Sequence, residues 1–246
     1  PLLAALGYGA TSIEIYLWLK DGVLYAGARD PEREEKHNRT LEEVYFSKLR
    51  WILEYANRDQ LKGDRPLGVF HTAPYIPLQL VMNIQSDGPS TFEALDVALQ
   101  PLLQAGWLTT VNATNPEAPL KPSALTIITT GNTRLSSILD SPNPIRYIFY
   151  DAPLMELGEN STFTPVLSPM ASATFSSLVG ARWVIPRLAV KRIHKYVKIA
   201  HRKGITVRVT KPIDFPAWIR NMYWQMLLNC GVDWLDVDDL YSAGQF

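Results

Sequence analysis

The chain has one cysteine in 246 residues, Cys230, so no disulfide can form within it. Cys230 ends the apolar stretch Met226-Leu227-Leu228-Asn229-Cys230, the setting of a buried structural thiol. Surplus charge is missing too. Lys+Arg and Asp+Glu both number 24, so there is no basic excess of the kind that neutralises a nucleic-acid backbone, and nucleic acid is not an expected partner. Apolar runs are short and broken by Gly, Pro or charge, which excludes a transmembrane helix of about 20 apolar residues. There is no Gly-x-Ser-x-Gly, no Walker-type phosphate loop and no paired-cysteine site, so serine-hydrolase, nucleotide and zinc readings have no support.

What is present describes a globular protein: 47% of residues are hydrophobic and 20% charged. The length suits a single domain over residues 1–246, with a first strand expected to be incomplete upstream of Pro1. Sequons at Asn38-Arg39-Thr40, Asn112-Ala113-Thr114 and Asn160-Ser161-Thr162 are compatible with the secretory pathway, without excluding the cytoplasm.

Strand and helix patterns alternate. Ser12 to Leu19 reads as a strand that turns at Asp21-Gly22 into Val23 to Gly27, a hairpin. Thr40-Leu41-Glu42-Glu43 has a capping-box arrangement before a helix reaching Asn57. Leu78 to Gln85 reads as a strand, followed by a helix from Ser90 to a glycine stop at Gly106. Further strands are expected at 124–130, 147–150, 205–210 and 234–237, and helices at 188–202 and 218–229. The stretch 152–180, rich in Ser, Thr and Pro, reads as a long loop. Such alternation predicts a mostly parallel sheet, with a closed TIM-type (β/α)8 barrel as first choice and an open doubly wound sheet as second.

Side chains alternate along a strand, so Glu14 and Tyr16 share one face, as do Asn83 and Gln85. A carboxylate in the otherwise apolar Ile13-Glu14-Ile15-Tyr16-Leu17-Trp18 must be hydrogen-bonded or functional. Gly131-Asn132-Thr133 reads as a strand-to-helix turn. His194 and His201, with Arg192, Lys195, Lys198 and Arg202, read as the solvated face of a helix.

The blocks Gly9-Ala10-Thr11-Ser12-Ile13-Glu14, Gly22-Val23-Leu24-Tyr25-Ala26-Gly27-Ala28, Gly68-Val69-Phe70-His71-Thr72, Asn83-Ile84-Gln85-Ser86-Asp87-Gly88, residues 146–153 and residues 231–240 resemble, in order, the fungal phospholipase-C-like phosphodiesterases. The resemblance is to their altered inheritance of mitochondria protein six branch, related to glycerophosphodiester phosphodiesterases. It implies a TIM-type barrel and, for the family, a divalent cation with two catalytic histidines. This sequence departs at those positions. Glu14-Ile15-Tyr16 stands where the family has Glu-Ala-Asp, Ala26-Gly27-Ala28 where it has Val-Gly-His, and Asn83-Ile84-Gln85 where it has Asp-x-Lys. The resemblance therefore implies weakened or lost metal binding and a missing proton carrier at Ala28.

Tyr, Asn and Gln in place of charged groups suit a small, largely neutral, hydrophobic ligand, with no cofactor and no metal. Glu14, Tyr16, His71, Asn83 and Gln85 are the candidate catalytic residues. Trp18, Tyr25, Thr129, Asn132, Asp151 and Thr210 are the candidate substrate-binding residues. Three readings follow: a metal-independent cyclase or isomerase, including a pericyclic step, of fungal secondary metabolism; a non-catalytic lipid- or metabolite-binding protein; and a residual magnesium-dependent phosphodiesterase. The oligomeric state is not encoded in any motif.

Overall fold

The computed structural model describes residues 1–31, 39–60, 65–115, 118–180 and 187–246. Asn38 of the first sequon lies outside these. The chain divides into two units, Pro1–Tyr150 and Asp151–Phe246.

In the first unit, helix α1 (Leu2–Gly7) precedes the β1 (Ser12–Lys20) and β2 (Val23–Ala26) hairpin. The hairpin closes where Asp21 and Gly22 both take positive φ, 49° and 76°, the tight turn expected of an Asp-Gly pair. The capping box forms as read: Thr40 N–H donates to Glu43 Oε2, and Glu43 N–H to Thr40 Oγ1, both at 3.2 Å. It opens a π-helical segment, Glu42–Phe46, that runs into α2 (Ser47–Asn57). Strand β3 (Leu78–Ile84) leads to α3 (Gly88–Gln104), whose N-cap Asp87 accepts from Ser90 N–H. The helix thus starts two residues earlier than the sequence pattern indicates. Short β4 (Val111–Asn112), β5 (Leu125–Gly131), α4 (Leu135–Leu139) and β6 (Ile145–Arg146) follow, then β7 (Ile148–Pro153), which begins in this unit.

β1, β3 and β5 run parallel, with β2 antiparallel on the outer edge of β1 and β7 beside β5. The register sets Tyr16 beside Asn83 and Asn83 beside Thr130. Neighbours in register project to the same side, so Glu14, Tyr16, Asn83 and Thr130 share one face. Ile13, Ile15 and Leu17 occupy the other face of β1, all buried. α3 lies against β1, β2 and β3 with Leu95, Leu99 and Leu102 buried.

In the second unit the end of β7 pairs with β8 (Met170–Thr174), β8 with β9 (Thr206–Thr210), and β9 with β10 (Trp234–Leu235), all parallel. Helices α5 (Phe175–Val179), α6 (Arg187–Arg202), α7 (Ala217–Asn229) and α8 (Leu240–Gln245) complete it. Its core joins Val207 and Val209 to Ile193 and Val197 of α6 and to Tyr223 and Leu227 of α7.

The closed barrel expected from the sequence is not what forms. The strand order is β10-β9-β8-β7-β5-β3-β1-β2, a mostly parallel sheet with two ends. Antiparallel β2 occupies the outer edge of β1, and β10 offers only two residues to a neighbour, so no pairing joins the ends among the described residues. The stretch 152–180 is also not one loop, since it contains β8 and α5. Among the described residues no helix is long and apolar enough to cross a membrane.

Candidate functional site

The first unit brings Glu14 and Tyr16, in the first half of β1, together with Asn83 and Gln85 at the C-terminal end of β3. Asn83 Nδ2–H donates to Glu14 Oε1 at 2.8 Å, and Gln85 Nε2–H donates to Asn83 Oδ1 at 2.5 Å. The amides form a directional relay, Gln85 to Asn83 to Glu14, which holds the carboxylate in one orientation. The relay is braced from behind. Asn132 Nδ2 donates to the carbonyls of Gln85 and Ser86, both at 3.0 Å, and Leu19 N–H donates to Ser86 Oγ at 2.8 Å.

Gly131 makes this approach sterically feasible. Its φ is +71°, and a Cβ there would lie 2.3 Å from Asn83 Oδ1 and 2.4 Å from the Ile84 carbonyl oxygen. Any side chain at this position would collide with the relay. No signal in the sequence distinguishes this glycine from an ordinary turn glycine.

Glu14 and Tyr16 open onto a cleft of ≈ 480 Å³ whose other walls include Ala26, Gly27, Ala28, Arg39 and Tyr45. The chain reaches it because the hairpin folds back: Gly27 N–H donates to the Tyr16 carbonyl, and Trp18 Nε1–H donates to the Gly27 carbonyl, both at 3.0 Å. Arg39 sits there because Ala26 N–H donates to its carbonyl at 3.0 Å. Burial pushes the Tyr45 phenol above its usual value, so it stays a neutral donor. Arg39 and Tyr45 are absent from the sequence-based candidates. One follows a sequon asparagine and the other sits at a core-like helix start, and only the fold brings them to the cleft that Glu14 lines.

The remaining candidates fall elsewhere or act differently. Tyr25 pairs with Trp18 across the hairpin. His71 is exposed in the turn before β3 and is not among the cleft-lining residues. Thr129 is buried, its hydroxyl donating to the Phe149 carbonyl at 3.1 Å, on the side of β5 opposite Thr130. Asp151 and Thr210 belong to the second unit. There Asp151 is buried beside Met170, and Thr210 pairs with Thr174. The same sheet buries Arg208, 3.4 Å from Asp236, an ion pair that was not foreseen.

Among the described residues, Glu14 is the single carboxylate lining the cleft. Among the described residues, no three His, Cys, Asp or Glu side chains gather in a way that could hold a metal ion. Among the described residues, the cleft lining combines one oriented carboxylate, Glu14, with Arg39, Tyr16 and Tyr45.

Residues 1–151 match the family model of the AIM6-like phosphodiesterase domain. The chain is 32% identical to an altered inheritance of mitochondria protein 6 homolog of Arthroderma benhamiae, covering 97% of this chain and 75% of that protein. It is 31% identical to altered inheritance of mitochondria protein 6 of Eremothecium gossypii (100% and 66%) and 28% identical to that of Lachancea thermotolerans (98% and 61%). It thus spans between 61% and 75% of the length of these relatives. No solved structure matches. With a family model over more than half its length and a full-span relative above 30% identity, the chain belongs to the AIM6-like phosphodiesterase domain family.

Proposed function

We infer that the Glu14 cleft carries out metal-independent proton transfer on a small, largely neutral organic substrate, an isomerisation or cyclisation. The observation that carries this reading is the Gln85–Asn83–Glu14 relay, which fixes a carboxylate in the lining of the cleft. The described donor set does not fit a divalent cation: a hard dication calls for several anionic oxygens, whereas among the described residues the cleft has one carboxylate, which Asn83 approaches with an amide N–H, and the phenol of Tyr16 in its lining. The sequence departures at Tyr16, Ala28 and Asn83 support the same conclusion, and Tyr16 and Ala28 both line this cleft.

In such a reaction Glu14 takes a proton from carbon and returns it at a second position. Arg39 and the Tyr45 hydroxyl stabilise the negative charge that develops on the substrate oxygen, and the relay keeps Glu14 in the reactive orientation. The single domain expected over residues 1–246 and a fungal metabolic setting remain part of this proposal. The test incubates the full chain in D₂O with a panel of neutral enolisable ketones and follows carbon-bound deuterium by NMR. Exchange that disappears in Glu14→Gln supports the reading; exchange unchanged in that variant sinks it.

A second reading, cleavage of a phosphodiester, is favoured by the family's description and by Arg39, a cation suited to a phosphate oxygen. Its signature would be hydrolysis lost in Arg39→Ala.

A further inference from the structure

The balanced charge of the whole chain hides a local imbalance. Residues 187–203 carry seven Lys or Arg (Arg187, Lys191, Arg192, Lys195, Lys198, Arg202, Lys203) and no Asp or Glu. All but Lys203 fall on α6, which turns Ala189, Ile193, Val197 and Ala200 into the core and leaves Lys191, Arg192, Lys195, Lys198 and Arg202 exposed. Asp233 pairs with His201 at 2.8 Å, and Glu159 shares a cleft with Lys191, Lys195 and Lys198.

The neighbouring helix α7 has the complementary peculiarity. Exposed Trp218, Asn221, Met222, Gln225, Leu228 and Asn229 recur at helical spacing, and no exposed residue of α7 is charged. Trp218 is 68% exposed and Met222 50%. Phe215, just before the helix, is 82% exposed and Leu188, on α6, 75%. The two helices flank an apolar cleft of ≈ 560 Å³, with Val190, Lys191 and His194 on one side and Met222, Met226 and Cys230 on the other.

A solvated helix face carries charges, and a nucleic-acid surface has no use for a row of Trp, Met and Leu. A bilayer rich in anionic lipid uses both features: cations bind its headgroups while aromatic and aliphatic side chains enter the interface. A symmetric contact between two copies would bring two strongly cationic helices toward one another. We propose that the α6–α7 surface docks this protein on anionic phospholipid membranes, α6 supplying the electrostatic attraction and Trp218, Met222 and Leu228 the insertion. The proposal is independent of the chemistry in the Glu14 cleft.

The test is co-sedimentation of the full chain with phosphatidylcholine vesicles, with and without about 30 mol % phosphatidylserine, at about 0.1 M salt. Binding should require phosphatidylserine and fall as salt rises. Replacing Lys191, Lys195, Lys198 and Arg202 by Gln should lower the partition coefficient by roughly two to three orders of magnitude, about fivefold per cation. Trp218→Ser with Met222→Ser should lower it by at least about tenfold. The wild-type lipid and salt dependence decides the matter even if a variant folds poorly. Equal binding to both vesicle types, or no binding to either, would overturn the proposal. So would duplex DNA retention without vesicle binding, or a vesicle-free dimer that Trp218→Ser dissociates.

Discussion

Replacing Gly131 by alanine perturbs the relay without removing any polar group from it. At φ +71° an L-residue pays about 1–2 kcal/mol for its left-handed conformation alone. The new methyl would sit 2.3 Å from Asn83 Oδ1 and 2.4 Å from the Ile84 carbonyl oxygen. That carbonyl cannot retreat cheaply, because it accepts from Asn132 N–H at 2.8 Å and belongs to the β3 ladder. Overpacking of this kind costs a further ~1–3 kcal/mol. If the Asn83 amide swings aside instead, its bonds to Glu14 and Gln85 are lost at about 1 kcal/mol each. The expected total is a destabilisation of roughly 2–5 kcal/mol, read from urea unfolding by far-UV circular dichroism. The clash with Asn83 is separable. In an Asn83→Ala background one of the two collisions is gone, and Gly131→Ala should cost about 1–2 kcal/mol less than in the parent. A cost below about 0.5 kcal/mol in the parent, or the same cost in both backgrounds, would refute the reasoning.

Tyr147 donates to Asp96 and accepts from Gln100 Nε2–H at 2.9 Å, so Tyr147→Phe should cost about 1–2 kcal/mol in urea. Burial and the Asp96 carboxylate push the Tyr147 phenol up to about 12. Its contribution is therefore complete below the ordinary tyrosine value near 10 and lost as pH rises through about 12, which ultraviolet titration of the phenol should follow. The Ser90 hydroxyl and backbone N–H hold the Asp87 carboxyl below the usual range, so its stabilisation is present at neutral pH and lost as pH falls through that lowered value. Asp87→Ala should lower the urea midpoint at neutral pH and lose this effect in strong acid; a pH-independent difference would contradict the capping role. Burial pushes the Cys230 thiol up, so Ellman's reagent should label the native protein at least about tenfold more slowly than the unfolded chain, and equal rates would contradict the assigned burial.

The parts of the fold legible in the sequence are those set by neighbouring residues. Asp21-Gly22 specifies its turn through positive φ, Thr40 and Glu43 close their capping box, and Gly106 ends α3 as a left-handed stop. Closure of the sheet was not legible. Alternation of strands and helices specifies parallel neighbours, whereas an open or closed sheet depends on what lies at its edges, and here β2 folds back onto β1. β8 escaped notice because Met170-Ala171-Ser172-Ala173-Thr174 has little β-branched or aromatic content, its strand state being imposed by β7 and β9 on either side. At the candidate site, period-two alternation was enough to pair Glu14 with Tyr16 and Asn83 with Gln85. The place of Arg39 and Tyr45 in the same cleft lining was not, because a loop and a helix start bring them there from outside the sheet.

The central claim is that the Glu14 cleft works without a divalent cation. Its most direct test is hydrolysis of a glycerophosphodiester and a lysophospholipid by the full-length protein, with magnesium and with a chelator, beside a Tyr16→Asp, Ala28→His, Asn83→Asp variant. The account predicts no turnover by the parent in either condition. Magnesium-dependent hydrolysis by the parent that the chelator abolishes would contradict it.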